Sequence, residues 1–222
     1  VVIRTTIQDI ITKRIAAENE ARKTRVRSGK FNPSSFGRCY RAQIYNRLNV
    51  PETNPTDITS LRKFKCGNLF HEFVQSHLPE KTVEQVVETQ DVYCRADIVG
   101  DDTVYDIKSQ HSRAFWYMQK DGYDIAHEKH DNWLQVMYAA VELKKKYGCL
   151  IFVSKDDLCM AEYVDETDNW VEEVNTELIT LRGYWDRKEL PPAVARCYGG
   201  KECEYCKWKT LCQSGGMVDG LR

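Results

Sequence analysis

The hydrophobic period changes several times along the chain, and the changes mark out its elements. Ile7, Ile10, Ile11 and Ile15 recur at helical spacing, so the first thirty residues hold an amphipathic helix. Asn32-Pro33-Ser34-Ser35 reads as a loop and helix start with Ser34 as N-cap, and a helix follows over residues 36–48. A turn-rich loop then leads to a helix over residues 57–78, which Pro79 ends. Residues 83–90 read as a strand. Two short β-like runs between Arg95 and Lys108 flank the polar corner Gly100-Asp101-Asp102-Thr103, which predicts a hairpin. Aromatic-rich residues 112–124 form a loop or short helix. The helix predicted over residues 128–147 carries a core stripe of Trp133, Val136, Met137, Ala140 and Val141, puts Gln135, Tyr138 and Glu142 on another face, and is closed by Gly148. Strands at 149–154 and 158–164 flank Lys155-Asp156-Asp157, a helix covers 167–187, and Pro191-Pro192 opens a cysteine-rich tail. Helices, a strand meander, then helix, strands and helix predict an α/β fold, a mixed sheet flanked by helices.

The 222 residues suit one domain with a small appendage: a basic N-terminal helix (1–30), a core (31–190) and a tail packed on it (191–222). Five Trp and twelve Tyr argue against disorder. No run approaches the ~18 apolar residues of a membrane span. Val1-Val2-Ile3 leads into a mixed polar segment without a secretory pattern, and a first residue other than Met leaves room for residues before it. Nine cysteines fit a metal site plus buried thiols in a cytoplasmic protein better than a disulfide framework. The net charge of −1 means that a nucleic acid must be met by a local patch. Residues 1–30 offer one, with eight basic residues (Arg4, Lys13, Arg14, Arg22, Lys23, Arg25, Arg27, Lys30) against three acids; a solvated helix face reads equally well.

The hairpin carries the first candidate chemistry. If the turn centres between Asp101 and Asp102, Val99 pairs with Val104 and Asp97 lies opposite Asp106, while Lys108 shares the Asp106 face. Opposed carboxylates destabilise a hairpin unless something neutralises them, and a hard divalent cation does so. Such an ion lowers the pKa of bound water, and a lysine beside it can neutralise a phosphorane. His71, within Gly67-Asn68-Leu69-Phe70-His71-Glu72, adds an imidazole ligand from the preceding helix, and Gln135 and Tyr138 place an amide and a phenol on one later helix face. The tail run Cys203-Glu204-Tyr205-Cys206-Lys207-Trp208-Lys209-Thr210-Leu211-Cys212 supplies three thiols that can grip one metal centre, with Cys39 or Cys197 as the fourth ligand. Cys197 would complete a compact local site suited to Zn²⁺; Cys39 would clip the first third of the chain to the tail. Cys66, Cys94, Cys149 and Cys159 read as core residues. Lys201, Lys207, Trp208 and Lys209 suit a single strand, or Trp208 packs inward.

Taken in order, the Gly-x-x-x-His helix with His71, then Asp97, Asp106-x-Lys108 and the Gln135/Tyr138 helix resemble the RecB-like branch of the PD-(D/E)XK nucleases. One cysteine before that core and CxxCx5C after it resemble its iron–sulfur members, the CRISPR-associated adaptation exonucleases and AddB-type nuclease domains. The resemblance spans about residues 31 to 213. It departs from the family pattern in spacing Gln135 and Tyr138 by two residues rather than three, and in having Asp106 where Glu is commoner. It implies a restriction-endonuclease-like fold with a C-terminal cluster-binding tail. By the resemblance His71, Asp97, Asp106 and the Ile107 carbonyl would hold Mg²⁺ or Mn²⁺, Lys108 would assist catalysis, and Gln135 and Tyr138 would support it. Cys39, Cys203, Cys206 and Cys212 would ligate a [4Fe–4S] cluster.

The expected function is therefore a metal-dependent DNase, an exonuclease on single-stranded or frayed DNA ends. It would work in the cytoplasm (a host's, if viral), with no membrane partner, beside recombination or CRISPR-adaptation proteins. Two other readings compete: a non-catalytic DNA-end-binding module, and a zinc-stapled structural protein using Cys197, Cys203, Cys206 and Cys212.

Overall fold

The computed structural model describes residues 6–23 and 28–221. Its helices are α1 (Ile7–Lys23), α2 (Tyr40–Arg47), α3 (Ile58–Gln75), α4 (Ser112–Met118), α5 (Ile125–Glu128), α6 (His130–Glu142), α7 (Val171–Arg187) and α8 (Lys209–Gln213). The strands are β1 (Val83–Glu88), β2 (Tyr93–Val99), β3 (Thr103–Gln110), β4 (Tyr147–Ser154) and β5 (Met160–Glu166), and they form one sheet in the order β1-β2-β3-β4-β5. All neighbours are antiparallel except β3 and β4, a parallel pair whose crossover is α4 to α6. The expected mixed sheet flanked by helices is present.

β4 is buried along nearly its whole length because helices cover both faces of the sheet. On one side α6 and α7 supply Trp133, Leu134, Val136, Met137, Val174, Leu178 and Leu181 to the larger core. On the other, Phe70 and Val74 of α3 cover a smaller core of Ile98, Ile107, Cys149, Ile151 and Val153. α3 thus brings His71 to one face of the sheet, and α6 brings Gln135 to the other.

Several elements differ from the sequence expectation, each for a local reason. Asn32, not Ser34, is the cap: its side chain accepts from the Ser34 N–H at 3.0 Å. α6 stops at Glu142, before Gly148. Lys144 takes a left-handed φ of +54°, Lys145 N–H reaches Ala140 O and Lys144 N–H reaches Val141 O, a Schellman ending built on lysine. Gly148 lies in β4 instead, where a Cβ would come within 2.5 Å of Met137 Sδ. The isoleucine stripe of α1 is not buried: Ile7, Ile10 and Ile11 are all more than half exposed. α1 lies against α3 through an Arg62–Thr12 hydrogen bond and a Lys65–Glu18 pair at 3.3 Å. Arg4, Arg25 and Arg27 of the expected basic patch lie outside the described residues. Arg14, Lys23 and Lys30 are paired with Glu18, Glu20 and Glu88, which leaves less free charge than the sequence suggested. Among the described residues no helix is long and apolar enough to cross a membrane.

Candidate active site

The hairpin closes where the pattern placed it. Val99 pairs with Val104, Ile98 with Tyr105, and Gly100 N–H donates to Thr103 O at 2.8 Å. The ladder then opens before Asp97 and Asp106 pair. Ala96 belongs to the larger core and Ile98 to the smaller, so the strand changes face across Asp97. Across the β1–β2 ladder Glu84, which regular pairing would set opposite Asp97, has a φ of +52°, a conformation that a non-glycine residue rarely adopts. The Asp97 carboxylate fills the gap: its Oδ2 accepts from Ile107 N–H at 2.7 Å, while its main-chain carbonyl accepts from Gln75 Nε2 at 3.1 Å. In an extended strand the N–H and C=O of one residue point the same way, so the Ile107 carbonyl faces the same gap. His71 Nδ1 stands 3.4 Å from Asp97 Oδ2. Burial works against the imidazolium, but the Asp97 contact outweighs it and holds His71 above its ordinary pKa.

On the α6 side a closed polar ring forms. Lys108 Nζ lies 2.6 Å from Asp106 Oδ2 and donates to Gln135 Oε1 at 3.1 Å, and Gln135 Nε2 donates to Asp106 Oδ1 at 2.8 Å. Asp106 is only 4% exposed. Burial raises its carboxyl to about 6, with Lys108 pulling down and Asp97 pushing up. Oδ2 is buried with the Lys108 ammonium beside it.

The side chains that the sequence grouped are not all drawn together. Tyr138 does not join the ring: it is fully buried, its hydroxyl pairs with Thr89 Oγ1 at 3.2 Å, and its ring meets Phe36 edge-on at 5.4 Å. A residue three positions on from Gln135 is turned by roughly 300° around a helix, enough here to point it into the core. Nor do His71, Asp97 and Asp106 form a ready-made ligand shell: among the described residues no three His, Cys, Asp or Glu side chains are grouped as an ion would need. The Ile107 N–H holds the Asp97 oxygen and the Lys108 ammonium sits on the Asp106 oxygen.

The tail is organised around a second cavity, of about 280 Å³, lined by Cys39, Cys203, Cys206 and Cys212 with Arg41 and Lys209. Burial pushes the Cys39 and Cys206 thiols up, and the neighbouring thiols add to the effect at Cys206. Arg41 Nη1 lies 3.7 Å from Cys212 Sγ. Cys197 is outside this cavity, its Sγ donating to Glu202 Oε2 at 3.1 Å, so the expected alternative Cys197 set is not brought together. Trp208 is buried, with Nε1 donating to Val50 O at 3.0 Å, and Lys207 pairs with Glu52 at 2.8 Å; neither is free for a nucleic acid.

The residues that fasten this tail were missed by sequence reasoning. Glu177, 3% exposed, accepts two hydrogen bonds from Arg196 at 3.0 and 2.9 Å, one from Gly37 N–H at 2.9 Å and one from the Tyr40 hydroxyl at 3.0 Å. Glu202 accepts from the N–H groups of Cys39, Arg196 and Cys197. A signal existed: Glu177 sits in the stripe of Val174, Leu178 and Leu181, where a solvated acid does not belong.

No protein-family model and no curated protein matches the chain. Among solved structures, the crystal structure of SSO0001 matches with a TM-score of 0.55 at 18% identity, covering 95% of this chain and 98% of that one; at this identity the likeness is one of fold. An alkaline exonuclease (LHK-Exo) from Laribacter hongkongensis aligns with a TM-score of 0.48 at 14% identity over 71% of this chain and 88% of that one. Its complex with dAMP gives 0.47 at 12% identity with the same coverage.

Proposed function

We propose that this protein is a metal-dependent deoxyribonuclease, an exonuclease that hydrolyses phosphodiester bonds at single-stranded or frayed DNA ends. The observation that carries the reading is the Asp106–Lys108–Gln135 ring, set across an opened β-ladder from Asp97 and His71. A buried carboxylate held between a half-buried lysine and a glutamine is a costly arrangement.

The donor set fits Mg²⁺ or Mn²⁺: two carboxylates, an imidazole and the Ile107 carbonyl are hard or borderline ligands, and Asp106 Oδ2 already draws a cation, the Lys108 ammonium. An ion held there would supply water activation and charge for the scissile phosphate. Asp106 and Asp97 serve as its anchors. Lys108 stays beside them as a cation for the negative charge that grows on phosphate oxygens. Gln135 holds both Asp106 and Lys108 through its two ends and so fixes their mutual angle.

The four thiols on one cavity fit a [4Fe–4S] cluster. Arg41 and Lys209 place positive charge on the cavity, and Glu202 a negative one that helps to raise the Cys39 thiol, beside thiols that must lose protons to ligate. The cluster would be structural, tying Cys39 to the tail.

End-labelled single- and double-stranded DNA incubated with Mn²⁺ tests the nuclease reading. Wild-type protein is expected to shorten the single strand, and Lys108→Ala to lose at least ~100-fold in rate without loss of fold. Robust cleavage by Lys108→Ala, or a wild-type protein that retards DNA in a gel and leaves it uncut, would overturn it; the second outcome is that of an end-binding module.

A further inference from the structure

α4 begins two residues after β3 ends, and it presents aromatic rings to solvent. Trp116 is 51% exposed and Tyr117 59%, while Phe115 and Met118 on the same helix are buried. Both exposed rings are braced: Trp116 meets Phe115 edge-on at 5.1 Å, and Tyr117 meets Tyr123 edge-on at 5.7 Å. They face a cavity of about 660 Å³ that His111, Arg113 and Lys120 also line and to which no acid contributes. Lys120 Nζ lies 5.4 Å from the centre of the Tyr117 ring. Among the described residues neither Arg113 nor Lys120 is in an ion pair. Asp156 is hydrogen-bonded to Ser112, and on their far side Tyr117 and Lys120 also line a cavity of about 380 Å³ with Asp121, Asp124 and Glu128, so the acid-free side is the one that faces His111, Arg113 and Trp116.

Free cations interleaved with braced, open aromatic rings match a ligand with regular negative charge and flat apolar faces. A single nucleic-acid strand is such a ligand: phosphates meet the cations and bases stack on the rings. A duplex is not, because its bases already cover one another. His111 lies three positions beyond Lys108, so at ~3.3 Å per residue the cavity begins about 10 Å from the lysine. We propose that the α4 surface is a base-stacking platform that binds a single nucleic-acid strand and feeds it toward Asp106 and Lys108; the feeding, though not the binding, rests on the nuclease reading.

The test is fluorescence anisotropy of a fluorescein-labelled oligodeoxythymidylate with the full-length protein in EDTA, where no cleavage intervenes. Trp116→Ala/Tyr117→Ala is expected to bind roughly 10- to 100-fold more weakly, and Trp116→Phe/Tyr117→Phe to recover most of the loss. Arg113→Ala/Lys120→Ala should lower the slope of log K against log salt by about 1.4, the value for two phosphate contacts on a single strand. Unlabelled oligouridylate as competitor separates RNA from DNA as the source of the strand. All four side chains reach solvent, and unchanged unfolding midpoints confirm that the fold is kept. Alanine variants that bind within twofold of wild type would overturn the platform, as would competition by blunt duplex DNA or anionic phospholipid vesicles equal to that of the single strand. Separate Mn²⁺ digests distinguish the two readings. Cutting with unaltered binding in the alanine variant removes the platform alone; ring-dependent binding without cutting removes the nuclease alone.

Discussion

Asp106→Asn should make the apoprotein more stable while abolishing cleavage. Asp106 is buried, and burial raises its carboxyl from the ordinary 3.8 to about 6 despite the Lys108 ammonium 2.6 Å away. Between those values the folded state binds more protons than the unfolded chain, so this residue makes stability fall as pH rises from about 4 to about 6 and costs a constant amount above that. A gap of about two pH units at ~1.4 kcal/mol each sets an upper bound of ~3 kcal/mol at neutral pH. Asparagine removes the charge and keeps an oxygen for Gln135 Nε2, but it sets an amide against Lys108, whose side chain is 24% exposed and free to turn toward water. The expected net gain is about 1–2 kcal/mol at pH 7, or roughly 2–8 °C in Tm for a domain of this size. The assay is urea unfolding of both proteins in EDTA from pH 4 to 8. The difference should be near zero at pH 4 and grow to a plateau above pH 6. His71, held high by Asp97, loses its own stabilising contribution as pH rises through its folded value in both proteins; Asp106 also helps to raise it, so the variant's smaller His71 contribution is part of the difference. Mn²⁺ at a hundred times its Kd should then stabilise wild type by ~2.7 kcal/mol and leave the variant nearly unmoved. A variant less stable than wild type at pH 7, or a difference flat across pH 4–8, would refute the reasoning.

Other substitutions probe what surrounds the ring. Tyr138→Phe removes one hydrogen bond to Thr89 and should cost ~1 kcal/mol in denaturant unfolding with the DNA-cleavage rate unchanged; a lost rate would return Tyr138 to the chemistry. Arg196→Met strands Glu177 in the core and should cost ~3–5 kcal/mol, much of it recovered by adding Glu177→Leu; an exposed pair would lose less than ~1 kcal/mol. Cys39→Ser should lower iron and sulfide content and soluble yield while Cys197→Ser leaves the iron in place, and metal lost from Cys197→Ser but kept in Cys39→Ser would favour the compact local site.

What the sequence made legible was whatever local period or turn chemistry dictates. The Gly100–Thr103 corner fixed the hairpin register, because a polar four-residue turn leaves one way to pair Val99 with Val104. Spacing made the tail trio Cys203, Cys206 and Cys212 legible but left Cys39 and Cys197 open as their partner, and only the resemblance picked Cys39, which lines the same cavity as the trio. What stayed hidden depends on long-range packing. The opening of the ladder at Asp97 requires Glu84 to take a left-handed φ, and nothing in Val83-Glu84-Gln85 announces it. Ending α6 with a left-handed lysine hides the stop that a glycine would have signalled. Tyr138 and Gln135 share a helix, but only Phe36 and Thr89, far away in sequence, decide that Tyr138 turns inward.

The ring and the cysteine cavity are two ends of one packed unit. Asp131 and Gln135 are one turn apart on α6, so they project from the same side of the helix. Gln135 holds Asp106 and Lys108, and Asp131 accepts from Arg38 at 3.0 Å and from the Tyr198 hydroxyl at 2.8 Å. Arg38 is the residue before Cys39, and Tyr198 the one after Cys197. Gly37 makes this closeness possible: its φ is +74°, and a Cβ there would stand 3.2 Å from the Asp131 Cα. A side chain at that position would push the Cys39 segment off α6 and tilt the helix that carries Gln135. Asp131 and Glu177 are both buried acids whose partners come from the Cys39 segment and the tail, so undocking the tail exposes unpaired charge on α6 and α7 at once. The Cys39 segment and the tail therefore need no contact with the Asp106 ring to matter to it, because both are tied to α6 through Asp131.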